Sequence, residues 1–196
     1  MAFVETVPDS GATGEVAALY GESREQNGFV PNFVQAFSLR PDVLRAWQQL
    51  NGSIKGRDAR RYELATLAAA RRLRSSYCAL AHGKVLAEQF LDPELVPGLP
   101  AGLDEADRAV MELAEQVVDD ATSVTQADID RLRTHGLSDG EIVDVVLAAA
   151  ARCFFSKTLD ALGAEPDAAY AALDPAFREP LVVGRPIAAS VSDPSA

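Results

Sequence analysis

Glu63-Leu-Ala-Thr-Leu-Ala-Ala-Ala-Arg-Arg-Leu-Arg-Ser75-Ser76-Tyr77-Cys78-Ala-Leu-Ala-His82 is the run around which the rest of the chain is organised. It carries one of the two cysteines and one of the two histidines of the chain, with a carboxylate at its head. Both halves are rich in alanine and read as helix. On one straight helix Glu63 and Cys78 would lie roughly 22 Å apart at about 1.5 Å per residue, too far to share a site. A break at Arg72 to Ser75 changes that. Ser75 or Ser76 then becomes the N-cap of a second helix, its hydroxyl accepting from a free amide of the first turn. The two helices fold back as an antiparallel hairpin. Residues equally far from the turn face each other, which brings Glu63 opposite His82.

Cys78 and His82 are i and i+4 and share one face of the second helix. Cys78 falls in the first turn, where unpaired amides and the helix dipole favour an anion. A thiolate is the reactive form of cysteine. His82 can take or relay its proton, and Glu63 can orient His82. Each residue has an ordinary reading when taken alone. A cysteine is more often a small core residue than a nucleophile. A histidine is more often a satisfied core or surface group, and a glutamate near a helix start a solvated one. Only the joint spacing is specific. Tyr77, beside Cys78, is a candidate donor to a substrate oxygen or an aromatic packed on the hairpin.

The spacing Glu63-x11-Ser75-x2-Cys78-x3-His82 resembles the signature of the alkylhydroperoxidase D-like, or carboxymuconolactone decarboxylase-like, family, which reads Glu-x11-Cys-x2-Cys-x3-His. From about Gly28 to about Gly163 the chain is similar to the peroxidase-related branch. Gly28-Phe29-Val30-Pro31-Asn32-Phe33 resembles its early segment, and Glu141 to Gly163 its late helix. The departure is Ser75, which stands where the first cysteine belongs. Typical members join those two cysteines in a disulfide, which this chain cannot form. The resemblance implies a peroxidase-like oxidoreductase reducing hydroperoxides through Cys78, with His82, Glu63 and Ser75 in the site. Oxidised Cys78 would be recycled by an external thiol or dithiol, or by Cys153 if it lies close. Two other readings stay open: a decarboxylase-type lyase acting on an acidic lactone, and a non-catalytic helical oligomer that has kept the site. The resemblance also implies a homo-oligomer, at least a dimer, to which the alanine-rich helices and the apolar C-terminal tail give a physical reason.

The 196 residues point to a single domain over 1–196, with a core from about 13 to 173 and an extended tail over 174–196. Hydrophobic residues make up 48%, enough for a sizeable core. The formal charge of −11 disfavours nucleic acid and anionic membrane as partners. The basic run Lys55 to Arg61 lacks aromatics and a glycine cradle, and reads as a solvated helix entry. No run is long enough to span a bilayer, and the N-terminus lacks the pattern of a secretion signal. Two cysteines do not make a disulfide scaffold, so a cytoplasmic location is expected. No metal site is expected, because one histidine and one cysteine leave the other ligands unsupplied. No cofactor is expected either, since no phosphate loop or dinucleotide fingerprint is present.

Strand patterns are missing throughout, so the expected fold is an all-α helical bundle built around the hairpin. Helices are expected over Thr13 to Asn27 and from Pro31. A third runs from Val43 to Ile54 after a break at Pro41-Asp42, with Leu44, Trp47 and Leu50 at core spacing. The Cys78 helix should run to about Leu91, and a loop to Gly102. Further helices are expected over Asp104 to Asp119, after Thr125 to His135, and from the capping box Ser138-x-x-Glu141 to about Leu162. Asp167 to Leu173 reads as a short turn of helix. Cys153 and Trp47 read as core, and His135 as a structural residue at a helix end. Leu181-Val182-Val183 reads as extended tail, and Ser190 to Ala196 as mobile.

Overall fold

The computed structural model describes residues 2–189. The expectation for Ser190 to Ala196 lies outside the described residues. Among these there is no strand. The order is α1 (Gly14–Asn27), α2 (Asn32–Ala36), α3 (Pro41–Lys55), α4 (Ala59–Arg72), α5 (Ser76–Gln89), α6 (Glu105–Asp120), α7 (Gln126–Thr134), α8 (Asp139–Ala161) and α9 (Pro175–Arg178). Short 3-10 turns join them, among them Val96–Gly98, Ala168–Ala172 and Glu179–Leu181.

α4 is the axis of the fold. It packs on α5, α6 and α8, and its residues from Tyr62 to Ala70 are all buried. Only a helix of small and aliphatic side chains can be enclosed on every side, because alanine lets neighbouring backbones approach. Asp58 caps it, accepting from the Arg61 amide at 2.9 Å. The run from Lys55 to Arg61 is indeed a helix entry, but it is paired rather than merely solvated. Arg60 binds Asp107 at 2.8 Å, Arg61 binds Glu141 at 2.8 Å, and Lys55 reaches back to Glu63 at 2.6 Å. These pairs tie α4 to α6 and α8.

The hairpin turn closes at the expected place. Arg74 takes φ 57°, a left-handed conformation that costs a non-glycine residue energy. Ser75 occupies the N-cap position, but its hydroxyl makes no cap hydrogen bond. The C-terminal segment closes over this turn. Gly184 donates to Ser76 Oγ at 2.7 Å, and Arg74 Nε reaches the Val183 carbonyl. A Cβ on Gly184 would sit 1.9 Å from the Arg74 carbonyl oxygen, so only glycine fits there. Leu181 is fully buried against Gly83 of α5. The tail is therefore a strap over the hairpin turn. It is not extended from Asp174 onward, because Pro175–Arg178 and Glu179–Leu181 are helical.

Two other expectations change. Pro41 is the first residue of α3 rather than an interruption, a position where its missing amide costs nothing. Leu50 has core spacing but is exposed, whereas Leu44 and Trp47 are buried. α8 carries two faces. Ile142, Val145, Ala149, Arg152, Ser156 and Leu159 point inward, while Val143, Leu147 and Phe154 form an exposed apolar stripe. Cys153 is half-buried between the two, not a fully buried core residue. His135 caps α7, with Gly136 beyond it at φ 89°. No described helix is long and apolar enough to cross a membrane.

Candidate active site

The hairpin places the pair that the spacing predicts. His82 Nδ1 lies 2.5 Å from Glu63 Oε2, and the other carboxylate oxygen accepts from Lys55 Nζ at 2.6 Å. Glu63 is 1% exposed. Burial pushes its carboxyl up, but His82 and Lys55 outweigh burial and hold it below the ordinary 4.5. An ionised Glu63 makes Nδ1 the protonated nitrogen of a neutral imidazole, which leaves Nε2 as the basic one. Burial, then the charge of Arg152, push His82 below its ordinary 6.5, with Glu63 partly offsetting them. The imidazole is thus held neutral and oriented.

Cys78 is 2% exposed and lies in the first turn of α5. It lines a cavity of about 660 Å³ together with His82 and Arg152. Arg152 Nη1 is 3.6 Å from Cys78 Sγ, and Nη2 donates to Tyr62 Oη at 2.9 Å. The guanidinium is 3% exposed and lies over the rings of Trp47 and Phe155, each centroid 5.5 Å away. Among the described residues no carboxylate pairs with it, and its Nε has no hydrogen-bond partner. Burial lowers the affinity of Arg152 for its proton, yet Cys78 and Tyr62 outweigh burial and leave it raised. A buried cation needs a compensating anion. The ionisable groups in contact with it are the Cys78 thiol and the Tyr62 phenol, and burial raises the phenol above its ordinary 10.

The remaining predicted residues are placed differently. Tyr77 lines the cavity, but its hydroxyl is committed: it donates to Asp167 and accepts from the Phe33 amide at 3.3 Å. Asp167 also accepts from the Asn32 amide at 2.7 Å. Tyr77 therefore ties α5 to the segments around Asn32 and Asp167. Ser75 is fully buried and does not line the cavity. Its hydroxyl has no hydrogen-bond partner of normal geometry among the described residues, and acts only on Asp160, where it partly offsets the upward push of burial. Cys153 does not line the cavity either. The described residues hold no group of three or more metal-ligating side chains.

Arg152 and Lys55 contact the candidate residues Cys78 and Glu63, and the motif did not reveal them. Lys55 sits eight residues before Glu63, across the turn between α3 and α4. Arg152 is a lone charge in the inward stripe of a long apolar helix, and that phase was its signal.

The sequence matches no protein-family model and no curated protein. Solved structures match throughout. The alkylhydroperoxidase AhpD core of an uncharacterized peroxidase-related protein from Ralstonia eutropha JMP134 is 22% identical, with a TM-score of 0.78 over 86% of this chain and 94% of that one. An uncharacterized peroxidase-related protein from Silicibacter sp. TM1040 is also 22% identical, with a TM-score of 0.74 over 86% and 91%. The debrominase Bmp8, as a cysteine-to-alanine variant in complex with 2,3,4-tribromopyrrole, is 14% identical, with a TM-score of 0.72 over 92% and 100%. At these identities the likeness is one of architecture: the chain has the all-helical fold of the alkylhydroperoxidase D-like, peroxidase-related proteins.

Proposed function

We propose that the protein is a thiol-dependent peroxidase acting on hydroperoxides. The observation that carries this reading is the surroundings of Cys78: a buried guanidinium 3.6 Å from the sulfur, in a cavity shared with an imidazole that burial and Arg152 hold neutral and Glu63 orients. Arg152 compensates the negative charge of the reacting sulfur, and His82 takes the proton when the thiol ionises. The thiolate attacks one peroxide oxygen. The S–O bond forms, the O–O bond breaks, and the sulfur becomes a sulfenic acid while the peroxide is reduced to an alcohol. Ser75 cannot resolve that sulfenic acid, and Cys153 lies outside the cavity. An external thiol or dithiol therefore condenses with it, releasing water, and a second thiol frees Cys78.

The test is the mass of the protein after one equivalent of cumene hydroperoxide. One added oxygen, mapped to Cys78, is the expected result. An unreacted thiol would remove the peroxidase reading. It would favour the second one, a lyase acting on an acidic lactone, because Arg152 supplies the cation such a substrate needs and that reaction makes no use of sulfur. Self-association is part of the proposal. The exposed stripe Val143, Leu147 and Phe154 recurs at helical spacing and is suited to a second copy of itself. Light scattering should give at least twice the chain mass; a value of 20.9 kDa at all concentrations would count against it.

A further inference from the structure

In the peroxidase reading His82 takes the thiol proton, and the proton for the oxygen that leaves is a second one, still unassigned. An alkoxide is a strongly basic leaving group and needs a proton as the O–O bond breaks. His82 is neutral at rest, because burial and Arg152 both disfavour its protonated form, so it brings no proton of its own beyond the one it takes from Cys78. Lysine and arginine donors are committed too: Lys55 to Glu63, and Arg152 to Cys78 and Tyr62.

Two phenols, Tyr77 and Tyr170, line the cavity, and a third, Tyr62, contacts Arg152. Tyr62 donates to Asn51 and accepts from Arg152. Tyr77 donates to Asp167 and accepts from Phe33. Tyr170, on the 3-10 turn Ala168–Ala172, is different. Its ring packs edge-on against Tyr77, with centroids 6.3 Å apart, which fixes its place in the cavity wall. It lines the same cavity as Cys78, His82 and Arg152, and its hydroxyl has no hydrogen-bond partner among the described residues. We propose that Tyr170 is a catalytic residue, donating its hydroxyl proton to the oxygen that leaves when Cys78 attacks the peroxide. Burial, with the nearby charges of Asp167 and Cys78, holds the phenol protonated well past neutral pH, so the donor is always loaded.

The step balances. Cys78 thiolate, ROOH and the Tyr170 phenol give Cys78 sulfenic acid, ROH and a tyrosinate. The tyrosinate regains a proton from the imidazolium formed when His82 took the thiol proton, which restores both groups. This inference rests on the peroxidase reading, and the experiment separates the two.

Tyr170→Phe removes only the hydroxyl, which has no hydrogen-bond partner among the described residues. Sulfenic acid formation is measured with two oxidants. Cumene hydroperoxide leaves an alkoxide, which needs the proton. 3-Chloroperoxybenzoic acid leaves a carboxylate, which does not. The variant should lose ~100-fold in rate with cumene hydroperoxide and less than about threefold with the peracid. The peracid arm also reports whether the site is still assembled. An equal loss with both oxidants would make Tyr170 a packing residue and overturn the proposal. No loss with cumene hydroperoxide would overturn it too, while leaving Cys78 peroxidase chemistry standing. Wild-type protein that neither oxidant converts would overturn both readings together.

Discussion

Cys78→Ser should abolish hydroperoxide consumption in the presence of dithiothreitol, a loss on the order of 10³-fold or more, the scale on which removal of an activated nucleophile acts. The change is nearly isosteric, so the fold should survive, but Arg152 loses the ionisable partner of its buried charge and the melting temperature should fall. A serine hydroxyl can still accept from Arg152, but it gives no sulfenic acid. Consumption at the wild-type rate by Cys78→Ser would end the catalytic claim. The wild-type pH profile adds a second check. Its acid limb should lie below 6.5, the ordinary imidazole value, because burial and Arg152 lower His82 and keep its base form populated as the pH falls. Below that limb His82 is protonated and can no longer take the thiol proton. The midpoint belongs to His82 and Glu63 together, since their titrations interact. Glu63→Gln removes the charge that raises His82, so the acid limb should move further down.

The hairpin and the Glu63–His82 contact were legible in the sequence because helical geometry is local. A capped break and a fixed spacing determine which residues face each other, whatever else the chain does. The same holds for the capping box at Ser138 and the alanine-rich axis. Contacts made by distant segments were not legible. The Tyr77 hydroxyl read as free because its partner, Asp167, lies 90 residues away. Ser75 read as a site residue because its place in the motif says nothing of the strap that ends at Gly184 and closes over the turn. Leu50 has the right spacing for a core face, but periodicity identifies a face and not the neighbour that covers it. Arg152 is the instructive case. Its phase on α8 puts it among Ile142, Val145, Ala149, Ser156 and Leu159, where an arginine is expensive. A charge at an inward position asks what it is paired with, and that question leads to Cys78.

Arg152→Leu tests that pairing, with opposite expectations for stability and for chemistry. The guanidinium is buried without a carboxylate partner among the described residues, so it carries a desolvation cost that only Cys78, Tyr62 and two aromatic rings offset. Replacing such a charge by a well-packed aliphatic side chain is often neutral or stabilising by about 1–4 kcal/mol. Tyr62 keeps its bond to Asn51, and losing one bond at an oxygen that is still paired costs little. Arg152→Leu should therefore melt at or above the wild-type temperature. Its chemistry should move the other way. A neighbouring cation favours an ionised group by about 10- to 100-fold, so Cys78 should lose that much reactivity toward both iodoacetamide and hydroperoxide at neutral pH. Arg152→Lys should recover only part of it, because a point charge on a flexible stem cannot contact the sulfur and Tyr62 together. If Arg152 serves only to clamp Trp47 and Phe155, the pattern reverses: the leucine variant loses stability and Cys78 stays as reactive as before. A drop in reactivity together with a higher melting temperature is a result that packing alone cannot produce, because it requires that the buried charge be kept for the sulfur at the expense of the fold.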